Sequence, residues 1–225
     1  MQTQAKLTGT AAAVLLSLIL VAAGCGGSGK SGGVAGTDKT SSQRLVGAGS
    51  TLVAPLVAQW QSAFKAATGV TVDYGAIGSG GGIQQITSRT VDFGASDAPL
   101  SPDQAAACHG CVQIPWALAA TTVTYDLPGL TKPLRLSGPV IAQMFLGQIT
   151  TWNDPQIAKL NRGVSLPSTG VHPVYRSDAS GDTYAFTGYL SHVSPAWKSK
   201  VGGASTSVSW PTGVPVEGSS TLITL

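Results

Sequence analysis

Residues 176–183 read Arg-Ser-Asp-Ala-Ser-Gly-Asp-Thr, a composition suited to binding a multiply charged anion. They follow a short apolar run and open an amphipathic one, so the chain is expected to pass there from a strand into a helix. Small and hydroxyl residues at such a turn leave backbone N–H groups pointing outward, where the helix dipole favours negative charge. Arg176 adds a planar set of donors. The segment therefore predicts an anion-binding turn.

Three further turns of this type precede it. In a chain with 29 glycines a single glycine turn would carry little weight, but these lie where an apolar run gives way to a polar or helical one. An anion that leaves water must recover its hydration from fixed donors, and several turns can supply more of them than one. The four turns together predict one oxyanion site. The three earlier turns are residues 47–52, 78–83 and 94–100.

Predicted helices and strands alternate along the chain. Apolar residues at three- and four-residue spacings predict a helix at 55–68, and alternating side chains predict a strand at 70–74. The order Ser101-Pro102 is typical of a capped helix start, and Ser137 is interpreted in the same way. The alternation predicts an α/β fold with helices packed on sheets. Further helices are predicted at 81–88, 102–108, 137–146, 154–160 and 181–192, and further strands at 91–95 and 171–175.

The segment 112–125 is almost uniformly apolar and β-branched, and Pro115 interrupts it. This composition predicts a buried strand that leaves one lobe of the molecule and enters another. Three tryptophans are assigned to packing, because aromatic residues at helical or strand spacing are usually core. They are Trp60, Trp116 and Trp152. The histidines, His109, His172 and His192, lie beside no nucleophile-like motif and are interpreted as surface or structural residues.

The first 24 residues have the pattern of an export signal. Lys6 precedes an apolar stretch at 11–23, which is shorter than the ~20 residues of a spanning helix. The stretch ends in Ala-Ala-Gly-Cys25, which is similar to a bacterial lipoprotein signal with an acylated cysteine. Cleavage nearby to give a secreted protein is the alternative. Residues 25–43 are rich in glycine and serine and predict a flexible tether.

Charge and cysteine content bear on the remaining function classes. Without Lys6 the chain has 12 basic and 10 acidic side chains, spread without runs, which argues against a nucleic-acid surface. In an exported protein Cys108 and Cys111 are expected to form a disulfide, with a redox centre or a metal site as alternatives. No cofactor or metal is expected. No catalytic role is expected either, because no nucleophile stands beside a base.

The four turns and the segment Leu-Gly-Gln-Ile-Thr-Thr-Trp-Asn-Asp-Pro at 146–155 closely resemble the extracytoplasmic phosphate-binding proteins of phosphate ABC transporters. The resemblance runs from Arg44 to Trp210 in the same order. It implies a two-lobed periplasmic-binding-protein fold of type II, with residues 44–116 in lobe 1, residues 117–225 in lobe 2 and the ligand between them. It also implies that the family's usual chain continues beyond Leu225, so that the fold is incomplete here.

Site residues follow from the match to the family's motifs. The resemblance implies that Thr51 and Ser79 offer hydroxyls and that Asp178 orients the guanidinium of Arg176 without touching the ligand. Asp182 stands where many relatives have threonine, and we expect it to cap the helix and also to contact the anion. The implied phosphate ligands are Thr51, Leu52, Ser79, Asp97, Arg176, Ser180, Gly181 and Asp182.

Asp97 is expected to set the selectivity of the site. A carboxylate repels an anion unless the anion donates a proton to it, which phosphate does near neutral pH and sulfate does not. A site built around one obligatory hydrogen bond rejects an analogue that lacks it by about 10⁴–10⁵-fold. Alternatives remain for single residues: Asp97 as a turn aspartate, Ser180 as a helix cap and Arg176 as a solvated arginine.

The resemblance implies a lipid-anchored protein on the extracytoplasmic face of the cell membrane. It would bind inorganic phosphate, close its lobes around it and deliver it to an ABC-transporter permease without doing catalysis. A binder of another oxyanion, a phosphatase and a non-transporting phosphate-sensing surface lipoprotein are the alternatives.

Overall fold

The computed structural model describes residues 43–130 and 132–224, which lie within one compact unit spanning residues 40–225. The predictions for the export signal, Cys25 and most of the tether fall outside these residues. No helix of the described part is long and apolar enough to cross a membrane. The assignment of residues 44–116 and 117–225 to two lobes stays a prediction.

The first part of the described chain forms a parallel sheet with the order β2-β1-β3. Gly49 at the end of β1 is in register with Ala76 of β2 and Ala95 of β3. The three strands therefore end at one edge of the sheet, and the turns that follow them start there. The strands are β1 (Arg44–Gly49), β2 (Thr71–Ala76) and β3 (Phe93–Ala95).

Helices α1 to α3 accompany this sheet. The amphipathic helix α1 (Ala54–Thr68) contacts β2, as its apolar spacing predicts. Helix α2 (Ser79–Thr87) begins two residues earlier than predicted, which places Ser79 in its first turn. Helix α3 (Pro102–Ala107) starts with the predicted cap, because the hydroxyl of Ser101 accepts a hydrogen bond from a backbone N–H of the first turn.

The second part combines a parallel strand pair with several helices. Leu190 and Trp197 are fully buried and form an apolar core with Leu146. Strand β4 is shorter than predicted and reaches Arg176, so the anion-binding turn follows it directly. The predicted helices appear as α4 (Gly138–Phe145), α5 (Pro155–Leu160) and α6 (Gly181–Val193); β4 is Val174–Arg176, and the elements not predicted are α7 (Pro195–Lys200), β5 (Val214–Val216) and α8 (Gly218–Leu222).

The prediction of a buried strand at 112–125 is wrong. The segment has neither helical nor strand structure, and Val112, Ile114 and Leu118 are 81%, 70% and 102% exposed. An extended segment becomes a strand only when another strand takes its hydrogen bonds, and neither described sheet pairs with this one. An apolar, β-branched composition does not supply that partner.

The assignment of all three tryptophans to a core is also partly wrong. The rings of Trp60 and Trp116 lie 5.5 Å apart, but both side chains are nearly half exposed. Trp152 packs against Tyr125, with 5.8 Å between ring centroids. Trp60 and Trp116 therefore cover each other at the surface instead of filling the interior.

The structure contains a disulfide between Cys108 and Cys111 at the end of α3, with 5.5 Å between the Cα atoms. Cys108 is fully buried. Arg89 donates to the carbonyl oxygens of Cys108 and His109 through one terminal nitrogen. The disulfide loop is thus tied to the end of α2.

Candidate functional site

The four predicted anion-binding turns meet at one place. The hydroxyl of Ser50 donates to Oδ2 of Asp97 over 2.7 Å, and the hydroxyl of Ser79 donates to the same oxygen over 3.2 Å. The backbone N–H of Gly181 in turn donates to Oγ of Ser79 over 3.2 Å. These contacts link the ends of β1, β3 and β4 to the start of α2. Carboxyl ends of parallel strands are the usual place for ligand sites in α/β folds.

Two glycines permit this close approach. At Gly78, φ is 83°, and a Cβ atom would lie 2.6 Å from Oδ2 of Asp178 and 2.9 Å from the carbonyl oxygen of Ala179. At Gly181 a Cβ atom would lie 2.7 Å from Oδ2 of Asp97 and 2.8 Å from Oγ of Ser79. Any side chain at either position would push the turns apart.

Arg176 is the cation of the site and is only 6% exposed. Its Nε donates to Oδ1 of Asp178 over 2.6 Å, and Nη2 pairs with the other oxygen of the same carboxylate. Nη1 donates to Oδ2 of Asp182 over 3.1 Å. The bidentate pair with Asp178 fixes the plane of the guanidinium group. Burial favours a higher pKa for Asp178, but the hydrogen bonds from Arg176 and Gly218 outweigh it and hold that pKa below its ordinary value.

Asp97 has one oxygen engaged and one available. Both hydroxyl bonds use Oδ2, while Oδ1 receives no hydrogen bond from any described residue. Burial is the largest influence on Asp97 and raises its pKa. The hydrogen bond from Ser50 opposes this effect, and the negative charge of Asp182 adds to it. Oδ1 is therefore an acceptor without a partner in the described residues, beside a set of donors.

Asp182 does not cap α6, so that part of the prediction is wrong. The hydroxyl of Ser180 already accepts from the N–H groups of Asp182 and Thr183 over 3.1 and 3.4 Å. The Asp182 carboxylate instead lies beside Arg176 and also accepts from the hydroxyl of Thr121 over 3.1 Å. The hydroxyl of Ser180 caps the helix and still has its own hydrogen to donate.

Thr51 reaches the rest of the site through a residue near the chain's end. Its Oγ1 lies 2.8 Å from Oγ of Ser219 and accepts from the N–H of the same residue over 3.2 Å. Leu52 uses its N–H within its own turn, donating to Oγ of Ser50 over 3.2 Å. Among the predicted ligands, Leu52 is thus the one whose donor is directed into the turn.

Sequence reasoning missed three residues of this cluster. Ser50 is 1% exposed and lies in the turn at 47–52, so its hydroxyl could have been weighed with that of Thr51. Tyr74 donates to the carbonyl oxygen of Ser50 over 2.8 Å, and burial, followed by the charge of Asp97, raises its pKa. Ser219 gave no signal, because it lies beyond Trp210, where the resemblance to the family ends.

The assembled groups suit a protonated anion. Hydroxyls, backbone N–H groups and a buried guanidinium supply donors, which favour negative charge. Two carboxylates, Asp97 and Asp182, supply acceptors that favour a ligand carrying its own hydrogen. Such a set of groups is chemically able to hold an anion by hydrogen bonds. In the described ranges, no group of three His, Cys, Asp or Glu side chains is placed to hold a metal ion.

Sequence comparison agrees with this chemistry. The phosphate-binding protein PstS of Pasteurella multocida is 47% identical over 175 residues, which are 77% of this chain and 50% of that protein. The phosphate-binding protein PstS of Xylella fastidiosa (strain Temecula1) is 44% identical over 182 residues, 80% of this chain and 50% of that protein. The chain therefore spans about half the length of the curated relatives it matches.

Structural comparison agrees on the fold. A Clostridium perfringens protein, described as a substrate-binding protein of a phosphate ABC transporter and solved with bound phosphate, superposes with a TM-score of 0.54. It is 19% identical, and the match covers 81% of this chain and 65% of that one. The sequence profile of the PBP superfamily domain matches residues 33–217. The resemblance expected from the four turns is thus confirmed, and the chain belongs to the PBP superfamily, with the α/β fold that this membership implies.

Proposed function

We propose that this site binds inorganic phosphate. The proposal rests on the meeting of three separate turns at the hydroxyl of Ser79. This hydroxyl donates to the carboxylate of Asp97 and accepts from the N–H of Gly181. An oxyanion that entered between these turns would take over donors that now bond to one another. The relatives from Pasteurella and Xylella are phosphate-binding proteins, which supports the same ligand.

The proposed ligand contacts are those that the match to the family's motifs implies. Thr51, Ser79 and Ser180 offer hydroxyls, Gly181 offers an N–H at the start of α6, and Arg176 offers a guanidinium. Helix α6 has 13 residues, so its dipole adds favourable charge at this point. Asp97 and Asp182 complete the proposed set as acceptors, and Asp178 positions the guanidinium. Leu52 belongs to the set only if its N–H leaves Oγ of Ser50 to bind the anion.

Asp97 gives the site its preference for phosphate over sulfate. Its Oδ1 is available to accept the hydrogen of a protonated phosphate oxygen, whereas fully ionised sulfate presents only a repulsive contact there. Asp182 adds a second acceptor near Arg176. Phosphate species that carry at least one hydrogen are therefore the favoured ligands.

The wider role follows from the relatives. We propose that the whole protein delivers phosphate to an ABC-transporter permease and does no catalysis. It would act on the extracytoplasmic face, held through a lipid on Cys25. Labelling cells with radioactive palmitate tests the anchor: label should enter the unmodified protein and not the Cys25→Ser variant. Incorporation into both would exclude this anchor.

Equilibrium titration of the purified chain with phosphate tests the binding proposal. Isothermal calorimetry up to millimolar phosphate should show saturable binding, and Arg176→Lys should weaken it, because lysine cannot reproduce the bidentate pair with Asp178. Lys65→Arg, a charge-preserving change on α1 away from the site, is the matched control. Equal binding by Arg176→Lys, or no saturable phosphate binding by any form of the chain that keeps Arg176, would refute the proposal.

A further inference from the structure

Ser219, in the short helix α8, contacts three of the proposed phosphate ligands at once. Its Oγ lies 2.8 Å from Oγ1 of Thr51, 2.9 Å from Nη1 of Arg176 and 3.3 Å from Oδ2 of Asp182. The N–H of Ser219 also donates to Thr51 over 3.2 Å. One hydroxyl therefore sits where donors from two distant turns converge.

The contacts of this hydroxyl match those of a protonated phosphate oxygen. A serine hydroxyl has one hydrogen to donate and two lone pairs to accept with. Here Oγ of Ser219 accepts from Arg176 and donates to Asp182. Because it has a single hydrogen, all three contacts form together only if Thr51 is the donor of the third one, in which either hydroxyl could donate. A P–OH group would accept from the same cation and hydroxyl and donate to the same carboxylate. The oxygen of Ser219 is thus a chemical equivalent of a ligand oxygen.

The donor groups that contact Ser219 have no hydrogen left for a phosphate oxygen. Nη1 of Arg176 has two hydrogens, of which one goes to Asp182 and the other to Ser219. With the hydrogen of Ser219 on Asp182, the hydroxyl of Thr51 directs its own single hydrogen to Ser219 and accepts from the N–H of that residue. A phosphate oxygen can therefore bond to Thr51 and to this nitrogen of Arg176 only when Ser219 withdraws.

The segment that carries Ser219 is held mainly by these same residues. In the described part of the chain, the hydrogen bonds from 217–224 to other elements end on Thr51, Arg176, Asp178 and Asp182; the one on Asp178 comes from the N–H of Gly218, over 3.1 Å. The outward side of the segment is exposed to solvent; the side chain of Ile223, for example, is 77% exposed. Loss of the contacts at Ser219 would thus leave the bond from Gly218 to Asp178 as the one hydrogen bond that, among the described residues, ties the segment to other elements, so the segment could withdraw without disturbing a core.

We propose that Ser219 is an internal competitor of phosphate, which occupies the position of one ligand oxygen and must leave before the anion engages Thr51 and Arg176. This inference rests on the proposed function of the site. The measured dissociation constant is then the intrinsic one divided by the fraction of molecules whose segment is withdrawn. Substitutions that release the segment raise that fraction and tighten binding.

Phosphate titration of Ser219→Ala tests the competition. Alanine removes the hydroxyl contacts, among them one with a charged donor, so we expect binding about tenfold tighter than in the unmodified chain. Ser220→Ala, the same change at the next, exposed residue of α8, should leave affinity unchanged. Weaker or equal binding by Ser219→Ala would overturn the proposal, because a residue that helped to hold phosphate would weaken binding when removed.

Hydrogen–deuterium exchange distinguishes a segment that phosphate displaces from one that closes over phosphate, because the exchange rate changes in opposite directions in the two cases. Saturating phosphate should speed exchange at 217–224 in the unmodified chain, because the ligand displaces the segment. Slower exchange would show that the segment closes over phosphate and would overturn the competition. If neither the unmodified chain nor Ser219→Ala binds phosphate, the proposed function itself fails. If Ser219→Ala alone binds, the competition is supported in its strongest form.

Discussion

Replacement of Asp97 by asparagine should remove most of the discrimination between phosphate and sulfate. The unmodified site is expected to favour phosphate by about 10⁴–10⁵-fold, which corresponds to roughly 5.5–7 kcal/mol. Asparagine carries no charge to repel sulfate, and its NH₂ group can donate to a sulfate oxygen. We expect the ratio of the two dissociation constants to fall to within about tenfold, since neutral hydrogen bonds contribute about 1 kcal/mol.

The discrimination should fall because the affinities for both anions change. Phosphate gives up a hydrogen bond to a charged acceptor, worth about 1.5–3 kcal/mol, so its binding should weaken about 10- to 150-fold. Sulfate binding should strengthen. The fold should tolerate the change, because the asparagine oxygen can still accept from Ser50, whose hydroxyl lies 2.7 Å from the present carboxylate.

Competition titrations with both anions measure the effect. Asp103→Asn, which removes an exposed carboxylate from the first turn of α3, is the control and should leave the ratio unchanged. Discrimination in the unmodified chain should also shrink in acid, at a higher pH than an ordinary aspartate near 3.9 would predict, because the pKa of Asp97 is raised. Equal affinity for both anions in the unmodified chain, or full discrimination in Asp97→Asn, would refute the reasoning.

The site's packing and charges lead to three more expectations. Gly181→Ala should weaken phosphate binding about 10- to 100-fold in the same titration, because its Cβ would press on Asp97 and Ser79, whereas Gly203→Ala, with open space around it, should not. Asp178→Asn should lower the free energy of unfolding at pH 7 by about 3 kcal/mol in denaturant titrations, because the buried guanidinium of Arg176 loses a negatively charged partner. The pKa of Asp178 is depressed in the fold, so this difference should persist down to about pH 4 and shrink as pH falls further; a constant difference would argue against the ion pair. Reduction of the disulfide should lower the melting temperature only slightly, since closing so short a loop contributes less than about 2 kcal/mol; a large drop would contradict this.

Local sequence patterns predicted a helix or strand correctly where the interactions that form it lie within the same few residues. The capped start at Ser101 and the apolar spacing of α1 depend on neighbours three or four residues away, and both appear where expected. The strand predicted at 112–125 depended on a pairing partner elsewhere in the chain. Composition carries no information about such a partner, so that prediction failed.

The candidate site was predicted in part for the same reason. Glycine and hydroxyl motifs indicated four turns, and parallel strand order brings the ends of β1, β2 and β3 to one edge. The sequence offers Ser180 as a helix cap, but no local pattern shows that this cap leaves Asp182 to pair with Arg176. Nor could a motif reveal Ser219, because its role comes from contact with Thr51, 168 positions earlier in the chain.

Phosphate binding also reports whether the chain is correctly folded, because the residues of the site lie far apart in the sequence. Ser79 and Gly181 are 102 positions apart, and neither offers an anion its full set of donors alone. A partly folded molecule therefore lacks the site, and any phosphate bound is selective for molecules whose distant segments have all assembled. Phosphate in a refolding buffer should accordingly raise the yield of correctly assembled chain by mass action, because it multiplies the ratio of folded to unfolded molecules by one plus the ratio of the phosphate concentration to Kd.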